Sequence, residues 1–173
     1  GDKKWWTPND NSTCIIVPIS ETQLFEDYIL KPYFDITKEE LLKNDTSGLH
    51  YWFLNANPKI WSMSSMPIGE VQDYTLYNDN GNKRRIFQNF LDAKAGDMVI
   101  GYESTPVKQI VAILRVSAEQ DGQKIYFEKV EGLSSPIDFS TLKECPELEK
   151  MEYFSMTQGS LFKLTRGEYD FII

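Results

Sequence analysis

Residues 96–106 read GDMVIGYESTP, and the rest of the predicted architecture depends on them. The apolar run at 98–100 predicts a strand that is buried on both faces. Gly101 lacks a Cβ atom, so it allows another backbone or a planar ligand to come close. Residues 102–105 then supply a ring, a carboxylate and two hydroxyls at the strand end. This grouping predicts a recognition site, and the alternative is an ordinary strand followed by a Ser-Thr-Pro turn.

A helix is predicted immediately before this strand. Its apolar face consists of Ile86, Phe87, Phe90 and Leu91. Asn82 is placed to cap the first turn, and Gly96 lies where a glycine commonly follows a helix. The cations at 83–85 occupy the first turn, where each opposes the helix dipole by roughly a few tenths of a kcal/mol. Their position favours an anion docking nearby, although a solvated helix start has the same composition.

The remaining pattern alternates strands with short helices. Strands are predicted at 51–54, 74–77, 109–117, 124–130 and 158–164. The Asp121-Gly122 pair is a tight-turn signal that joins two of them into a hairpin. A short acidic segment or helix is predicted at 141–150, and a further helix begins at Thr165. Together these elements predict an α+β fold with a small barrel.

The first part of the chain differs from the rest. It contains a short strand at 14–19 and two capping boxes that each begin a helix. The loop at 44–48 is the best domain boundary, which predicts an N-terminal α/β extension at 1–48 and a second domain at 49–173. Cys14 and Cys145 lie far apart with no second cysteine or histidine near them. They are interpreted as reduced thiols of a cytoplasmic protein.

Net charge limits the kinds of partner. The chain of 173 residues has a net charge of −8 and a pI of about 4.7, which excludes binding of polyanions over the whole surface. The charge is uneven, because residues 76–115 carry more basic than acidic side chains and residues 119–152 the reverse. A local basic patch for nucleic acid therefore stays open, and so does an acidic surface for a protein partner. No apolar run approaches the length of a membrane span, so no membrane partner is expected.

The sequence offers little material for catalysis. His50 is the single histidine, so histidine-based metal sites and Ser-His-Asp triads lack their components. Neither a GxxxxGK[ST] phosphate loop nor a GxGxxG fingerprint occurs. Glu103 is the one acid at the predicted site, where it would accept from a base amino group or cap a turn. We therefore expect a binding module without metal, cofactor or catalytic activity.

Aromatic rings accompany amides and hydroxyls in the second domain. The rings are Trp61, Tyr77, Tyr102 and Phe127, and the polar groups belong to Asn55, Asn57, Ser104 and Ser160. A pocket of this make-up stacks one planar base and reads its edge. Stacking on an aromatic ring is worth about 1–3 kcal/mol per base, which offsets much of the cost of flipping one out of a duplex. For each ring by itself, packing in the core is the alternative.

Residues 49–173 resemble the EVE domain, a PUA-like fold related to the YTH readers. The resemblance rests on YWFLN at 51–55, KAGD at 94–97, MVIGYES at 98–104, the hairpin at 109–130 and QGSLF at 158–162. More narrowly, YWFLNANPKIW at 51–61 and RIFQNF at 85–90 are similar to the EVE-type domain of McrB-like GTP-dependent restriction proteins.

The resemblance implies a small β-barrel flanked by helices, whose aromatic pocket takes up a flipped, modified base of double-stranded DNA. The base would be methylated or hydroxymethylated cytosine, or N6-methyladenine. The domain would be the specificity module of a McrB-like restriction system, with an AAA+ GTPase motor in the parent chain and a separate nuclease subunit. An RNA-binding PUA-like module and a protein-interaction adaptor are the alternatives.

Two sets of residues make up the predicted site. The base pocket comprises Asn55, Asn57, Trp61, Tyr77, Tyr102, Glu103, Ser104, Phe127 and Ser160. The phosphate contacts comprise Lys59, Lys83, Arg84, Arg85 and Lys108.

Overall fold

The computed structural model describes Asp27 and residues 48–173 except Thr157. Gly48–Ile173 forms a compact unit of its own. The strand and helices predicted for the N-terminal extension lie outside the described residues, and its boundary with the second domain stays a prediction.

Strands and short helices alternate along this unit. The strands are β1 (Tyr51–Ala56), β2 (Val71–Thr75), β3 (Met98–Glu103), β4 (Gln109–Ala118), β5 (Lys124–Asp138) and β6 (Leu161–Leu164). The helices are α1 (Phe87–Asp92), α2 (Phe139–Glu144), α3 (Glu152–Ser155) and α4 (Arg166–Ile172), with a 3-10 turn at Pro146–Leu148. Among the described residues, no helix is long and apolar enough to span a membrane.

The strands form one mixed sheet of six, in the order β2-β5-β4-β3-β1-β6. β1 and β3 run parallel, with Tyr51 opposite Met98, whereas the other paired strands are antiparallel. The predicted α+β class is therefore confirmed. Because β1 and β3 are parallel, both strands end at the same edge of the sheet, and the loops that follow them are neighbours.

The sheet carries a hydrophobic core on each face. Successive β1 residues alternate between the two, with Trp52 and Leu54 in one cluster and Tyr51 and Phe53 in the other, as the period of a strand requires. Both faces are covered, which explains the nearly continuous apolar run of β1.

Irregular pairing bends the sheet into a half-barrel. The register shifts once between β3 and β4, next to Gly101, and three times between β4 and β5. Each bulge adds a local kink and extra twist to its strand. The sheet therefore curls, and its edge strands are β2 and β6.

A buried carboxylate joins the starts of β1 and β3. Asp97 is 1% exposed and accepts hydrogen bonds from the backbone N–H groups of His50 and Lys94, at 2.9 and 2.8 Å. The indole Nε1 of Trp52 donates to the same carboxylate at 2.9 Å. The KAGD sequence therefore has a structural role, because it anchors the corner from which the central strand begins.

The helix before β3 begins later than predicted. Lys83 pairs with Tyr77 in an isolated β-bridge, so the turn containing Asn80-Gly81 closes a small hairpin. Ile86 then takes a left-handed backbone conformation with φ of 54°, and α1 starts at Phe87. Asn82 therefore does not cap the helix, and the cations at 83–85 precede α1 instead of occupying its first turn. This segment therefore forms the hairpin that Asn80-Gly81 indicates, although the spacing of its apolar residues predicted a helix.

The other predicted elements differ mainly in their bounds. β2 lies at Val71–Thr75, slightly before the predicted 74–77, and β5 extends to Asp138. The helix predicted from Thr165 is confirmed, with a capping box between Thr165 and Glu168. Gly101 was expected to let another backbone or a planar ligand come close, and a Cβ atom there would lie 2.7 Å from the sulfur of Met63 and 3.1 Å from the backbone oxygen of Ala112. The groups that approach are therefore a core side chain and the neighbouring strand.

Candidate nucleic-acid interface

A cavity of about 250 Å³ opens where β1 and β3 end. Its lining residues are Asn55, Ala56, Asn57, Ile60, Trp61, Tyr74, Arg84, Ser104, Gly159 and Ser160. Pockets for drug-sized ligands typically measure about 300–1,000 Å³, so this one suits a single small ring system. Backbone hydrogen bonds hold its walls together: Ser104 N donates to Ala56 O at 2.8 Å, and Asn55 N donates to Ser160 O at 2.7 Å.

A tight turn after β1 places Trp61 in the wall. The carbonyl oxygen of Asn57 accepts from Ile60 N at 2.9 Å and from Trp61 N at 3.0 Å. The Asn57 side-chain oxygen accepts from Lys59 N at 3.0 Å. These bonds reverse the chain, so the Trp61 ring, 8% exposed, packs inward against Phe127 with their centroids 6.2 Å apart.

Tyr74 and Arg84 form a further part of the wall. The Tyr74 ring lies 6.1 Å from the Trp61 ring and is nearly parallel to Phe90 at 6.3 Å. The Arg84 guanidinium carbon lies 4.6 Å from the centre of the Tyr74 ring, and Arg84 Nε donates to Thr75 O at 2.6 Å. Two rings and a planar cation therefore border the cavity with flat surfaces that suit stacking.

Asn55 contributes an unused hydrogen-bond acceptor. Its Nδ2 donates to Gly159 O at 3.3 Å, whereas its Oδ1 is buried without a hydrogen-bond partner. A buried polar atom left unpaired costs about 1–3 kcal/mol, so a donor from a ligand would recover this free energy. Gly159 is needed at this position, because a Cβ atom would lie 2.7 Å from the ring of Phe162.

A second cavity, half of whose six lining residues are cations, adjoins the first. It has a volume of about 300 Å³ and is lined by Asn78, Lys83, Arg84, Arg85, Gly159 and Ser160. Arg84, Gly159 and Ser160 line both cavities. Three positive side chains beside the first cavity form the kind of site that attracts a phosphate group.

Two buried charges hold the loop at 62–66, whose Met66 sulfur accepts a hydrogen bond from the Trp61 indole of the cavity wall at 3.4 Å. Glu103 is 1% exposed, and its Oε1 accepts from Ser64 N at 2.9 Å and from the Ser62 and Ser64 hydroxyls. Lys129 is 4% exposed, and its Nζ donates to the carbonyl oxygens of Met63, Ser64 and Met66. Glu103 was expected at the base pocket, but its carboxylate is already used by this loop.

Tyr102 and Phe127 were also expected in the pocket wall, and both lie in the core. Tyr102 is 3% exposed and packs on the face opposite Glu103, because consecutive strand residues point to opposite faces. Burial raises the pKa of the Tyr102 hydroxyl, and its hydrogen bond with Tyr153 partly opposes that rise. Phe127 is fully buried and contributes to the site as the support on which the Trp61 and Tyr74 rings pack.

Three other predicted residues lie outside both cavities. Tyr77 packs against Phe87, with their ring centroids 5.8 Å apart. Lys108 is exposed in the loop after β3, and its backbone bonds to Ser104 and Phe139. Lys59 is exposed on the turn after β1, next to the cavity-lining Ile60.

The structure brings together five of the predicted pocket residues: Asn55, Asn57, Trp61, Ser104 and Ser160. Arg84, predicted as a phosphate contact, also belongs to the pocket wall. The other four lining residues, Ala56, Ile60, Tyr74 and Gly159, were not predicted. Tyr74 belonged to a predicted strand, and its side chain faces the cavity, whereas the prediction chose Tyr77 from the same run.

Fold and site together define a small α+β domain in which a half-barrel carries an aromatic cavity beside a cationic one. The chain belongs to the EVE domain family, whose model matches residues 50–173. The predicted family and the PUA-like fold class are thereby confirmed. No curated protein matches the chain significantly.

Several solved structures share this fold. The protein Rpa0253 from Rhodopseudomonas palustris aligns with a TM-score of 0.59 and 20% identity, over 72% of this chain and 90% of its own. The human THYN1 protein, solved in complex with DNA that contains 5-methylcytosine, aligns with a TM-score of 0.58 and 15% identity, over 71% and 95%. The DUF55 domain of human thymocyte nuclear protein 1 gives a TM-score of 0.54 and 14% identity, over 70% and 95%.

Proposed function

We propose that this domain binds double-stranded DNA carrying a modified cytosine and holds that base, flipped out of the duplex, in the cavity beside Trp61 and Tyr74. The observation that carries the proposal is a ring-sized aromatic cavity that adjoins a cationic one. The THYN1 structure supports it, because a domain of the same fold was solved with 5-methylcytosine DNA.

Stacking supplies the affinity in this proposal. The Trp61 and Tyr74 rings and the Arg84 guanidinium border the cavity, and base stacking is worth about 1–3 kcal/mol. Flipping a base costs a few kcal/mol and less when the base is mismatched. Stacking therefore offsets most of the free-energy cost of flipping the base, and hydrogen bonds to the edge of the base distinguish one base from another.

Asn55 is the residue that distinguishes cytosine from thymine. Both 5-methylcytosine and thymine carry a methyl group on C5, but cytosine presents an amino donor where thymine presents a carbonyl acceptor. The buried Asn55 Oδ1 is an acceptor without a partner, so it matches the cytosine amino group. A thymine in the same pose would bring two acceptors together and leave both unpaired.

The adjoining cations hold the backbone of the flipped nucleotide. Lys83, Arg84 and Arg85 line the second cavity, and phosphate contacts position a duplex without reading its sequence. Because the chain as a whole has a net charge of −8, binding through a local patch is the form of DNA recognition that the charge allows.

The domain acts by binding and not by catalysis. The match to the EVE family and the aromatic cavity support this binding role. We propose that it is the specificity module of a McrB-like restriction system in the cytoplasm, working with an AAA+ GTPase motor and a separate nuclease. The similarity of residues 51–61 and 85–90 to the EVE-type domain of those proteins supports this setting.

Binding to matched duplexes tests the proposed function. Fluorescence anisotropy is measured with DNA containing 5-methylcytosine, 5-hydroxymethylcytosine, N6-methyladenine or unmodified cytosine at one position, and with structured RNA as competitor. We expect preference for a modified cytosine. Equal affinity for all four duplexes would refute the proposal, and displacement by RNA at lower concentration would favour the RNA-binding alternative.

A variant pair tests the role of Asn55. Asn55→Ala is expected to reduce the preference for 5-methylcytosine over thymine by roughly tenfold, because one hydrogen bond to an otherwise unpaired group is lost. Asn80→Ala is the control, since Asn80 is exposed on a turn and lines neither cavity. Unchanged discrimination in Asn55→Ala would show that another group reads the base edge.

The proposed setting is tested by the surrounding genes. A coding sequence that continues past Ile173 into a GTPase motor, with a nuclease gene beside it, is the expected arrangement. A gene neighbourhood without either would refute the restriction setting and leave the binding proposal unaffected.

A further inference from the structure

Ile60 is an apolar side chain held in solvent at the mouth of the base cavity. It is 86% exposed, more than any other large hydrophobic residue reported for the described part of the chain, and it lines the cavity. Its neighbour Trp61 is 8% exposed and packs inward. Of two consecutive apolar side chains on this turn, one is therefore buried in the cavity wall and the other is left in solvent.

The turn that carries Ile60 is held by its own hydrogen bonds. Asn57 accepts from the backbone N–H groups of Lys59, Ile60 and Trp61 at 2.9–3.0 Å. A β-branched side chain has few rotamers available, so Ile60 loses little conformational freedom when it enters a confined space. The exposed side chain is therefore preorganised and not loosely placed.

Ile60 lies apart from Lys83 and Arg85, whereas Arg84 lines the base cavity with it. Ile60 lines the base cavity but not the neighbouring cavity of Lys83, Arg84 and Arg85. A flipped nucleotide whose phosphates lie on the cations would pass its base into the shared opening. Ile60 would then stand on the rim of the base cavity but outside the second cavity, beside the place from which the base has left.

We propose that Ile60 enters the base stack of the duplex and fills the gap that the flipped base leaves. This inference rests on the proposed function and names the residue that stabilises the opened duplex. Proteins that unstack DNA commonly insert an apolar wedge such as Ile, Leu, Phe or Met between base steps. An exposed isoleucine has no hydrogen-bonding group to satisfy, so it replaces the stacking surface of the missing base without an unpaired polar atom.

The test compares DNA that must be opened with DNA that is already open. Affinities of the full chain are measured for a duplex with 5-methylcytosine opposite guanine, for the same duplex with an abasic site opposite it, and for the single strand, each also with unmodified cytosine. Ile60→Ala is expected to weaken binding to the paired duplex by roughly tenfold. Binding to the single strand is expected to stay within about twofold, because no stack has to be opened there.

Matched variants and a second measurement complete the test. Ile68→Ala is the control, since Ile68 is also an exposed isoleucine at 69% but does not line the cavity. Ile60→Leu is expected to restore binding to the paired duplex. A 2-aminopurine next to the 5-methylcytosine is expected to brighten on binding of the wild type and to respond less with Ile60→Ala.

Two outcomes would overturn the inference, and they are distinguishable. If Ile60→Ala weakens paired, abasic and single-stranded DNA by the same factor, or none of them, Ile60 does not act as a wedge although the cavity still binds the base. If the wild type shows no preference for modified DNA in any of the three forms, the proposed function itself fails and the wedge fails with it.

Discussion

Replacing Lys129 by methionine is expected to release the loop at 62–66 and destabilise the protein. The ammonium group donates to Met63 O at 2.8 Å, Ser64 O at 3.2 Å and Met66 O at 2.6 Å. Methionine has a similar length but no donor, so the substitution removes these bonds while it keeps most of the side-chain volume. The loop it releases includes Met66, whose sulfur accepts from the Trp61 indole at 3.4 Å.

The size of the expected loss of stability depends on which of the three hydrogen bonds of the Lys129 ammonium are buried. The bonds to Met63 O and Met66 O are buried, whereas that to Ser64 O is only partly buried. Each buried acceptor left unpaired costs about 1–3 kcal/mol. Removing the buried ammonium also removes its desolvation penalty, which offsets part of the loss. We therefore expect the free energy of unfolding to fall by about 2–4 kcal/mol.

Urea denaturation followed by tryptophan fluorescence measures this effect. Lys124→Met is the matched control on the same strand, because Lys124 forms an ion pair with Asp73 in which the side chains are 48% and 42% exposed. Ion pairs at the surface contribute about 0–1 kcal/mol. If Lys129→Met lowers the free energy of unfolding no more than Lys124→Met does, then the buried ammonium does not hold the loop. DNA binding by Lys129→Met is expected to weaken as well, since the loop supports one wall of the cavity.

Three further changes have defined outcomes. Gly101→Ala places a methyl group 2.7 Å from the buried sulfur of Met63, and the free energy of unfolding measured by chemical denaturation is expected to fall by about 1–3 kcal/mol. Gly167→Ala is the control, because the added methyl group meets open space, and it should leave stability unchanged or raise it. Burial raises the pKa of Tyr169 to about 12, against about 10 in the unfolded chain. Between these pH values only the unfolded state loses the tyrosine proton, so the free energy of unfolding falls as pH rises. Tyr169→Phe should make this fall shallower in denaturation measured at pH 9–12, and an unaltered slope would contradict the assignment to Tyr169. Lys83→Ala removes a cation that lines only the second cavity, so it should lower the slope of log affinity against log salt by about one and weaken all DNA alike, while Arg115→Ala, whose guanidinium pairs with Glu128, should leave the slope unchanged.

Most strands of the sheet could be predicted from the sequence because the patterns that indicate them involve only neighbouring residues. The alternation in β4, the tight turn at Asp121-Gly122 and the apolar run of β3 each depend on a few adjacent residues, and the structure has a strand or turn at each. The helix before β3 was placed too early for the same reason, since its apolar spacing continued through residues that instead close a hairpin. Two local signals competed there, and the hairpin prevailed.

The site was predictable only where it follows directly from strand ends. Asn55, Asn57 and Ser104 come together because β1 and β3 are parallel. Tyr102 and Glu103 could not both face one cavity, since they are adjacent in a strand, and this period was available in the sequence. The Glu103 carboxylate accepts hydrogen bonds from a loop some forty residues away in sequence, and no local sequence pattern indicates such a contact.

The parallel pairing of β1 and β3 has a consequence for how binding preference changes. Both connections that border the cavity emerge from one edge of the sheet, beyond the last ladder pair of Ala56 with Glu103. Insertions or exchanges in these connections leave the register of every strand untouched, because they lie outside the ladder. A graft of the segment between Asn57 and Met66 from a relative would therefore transfer a new ligand preference to the same scaffold, provided that the graft keeps acceptors for Lys129 and donors for Glu103.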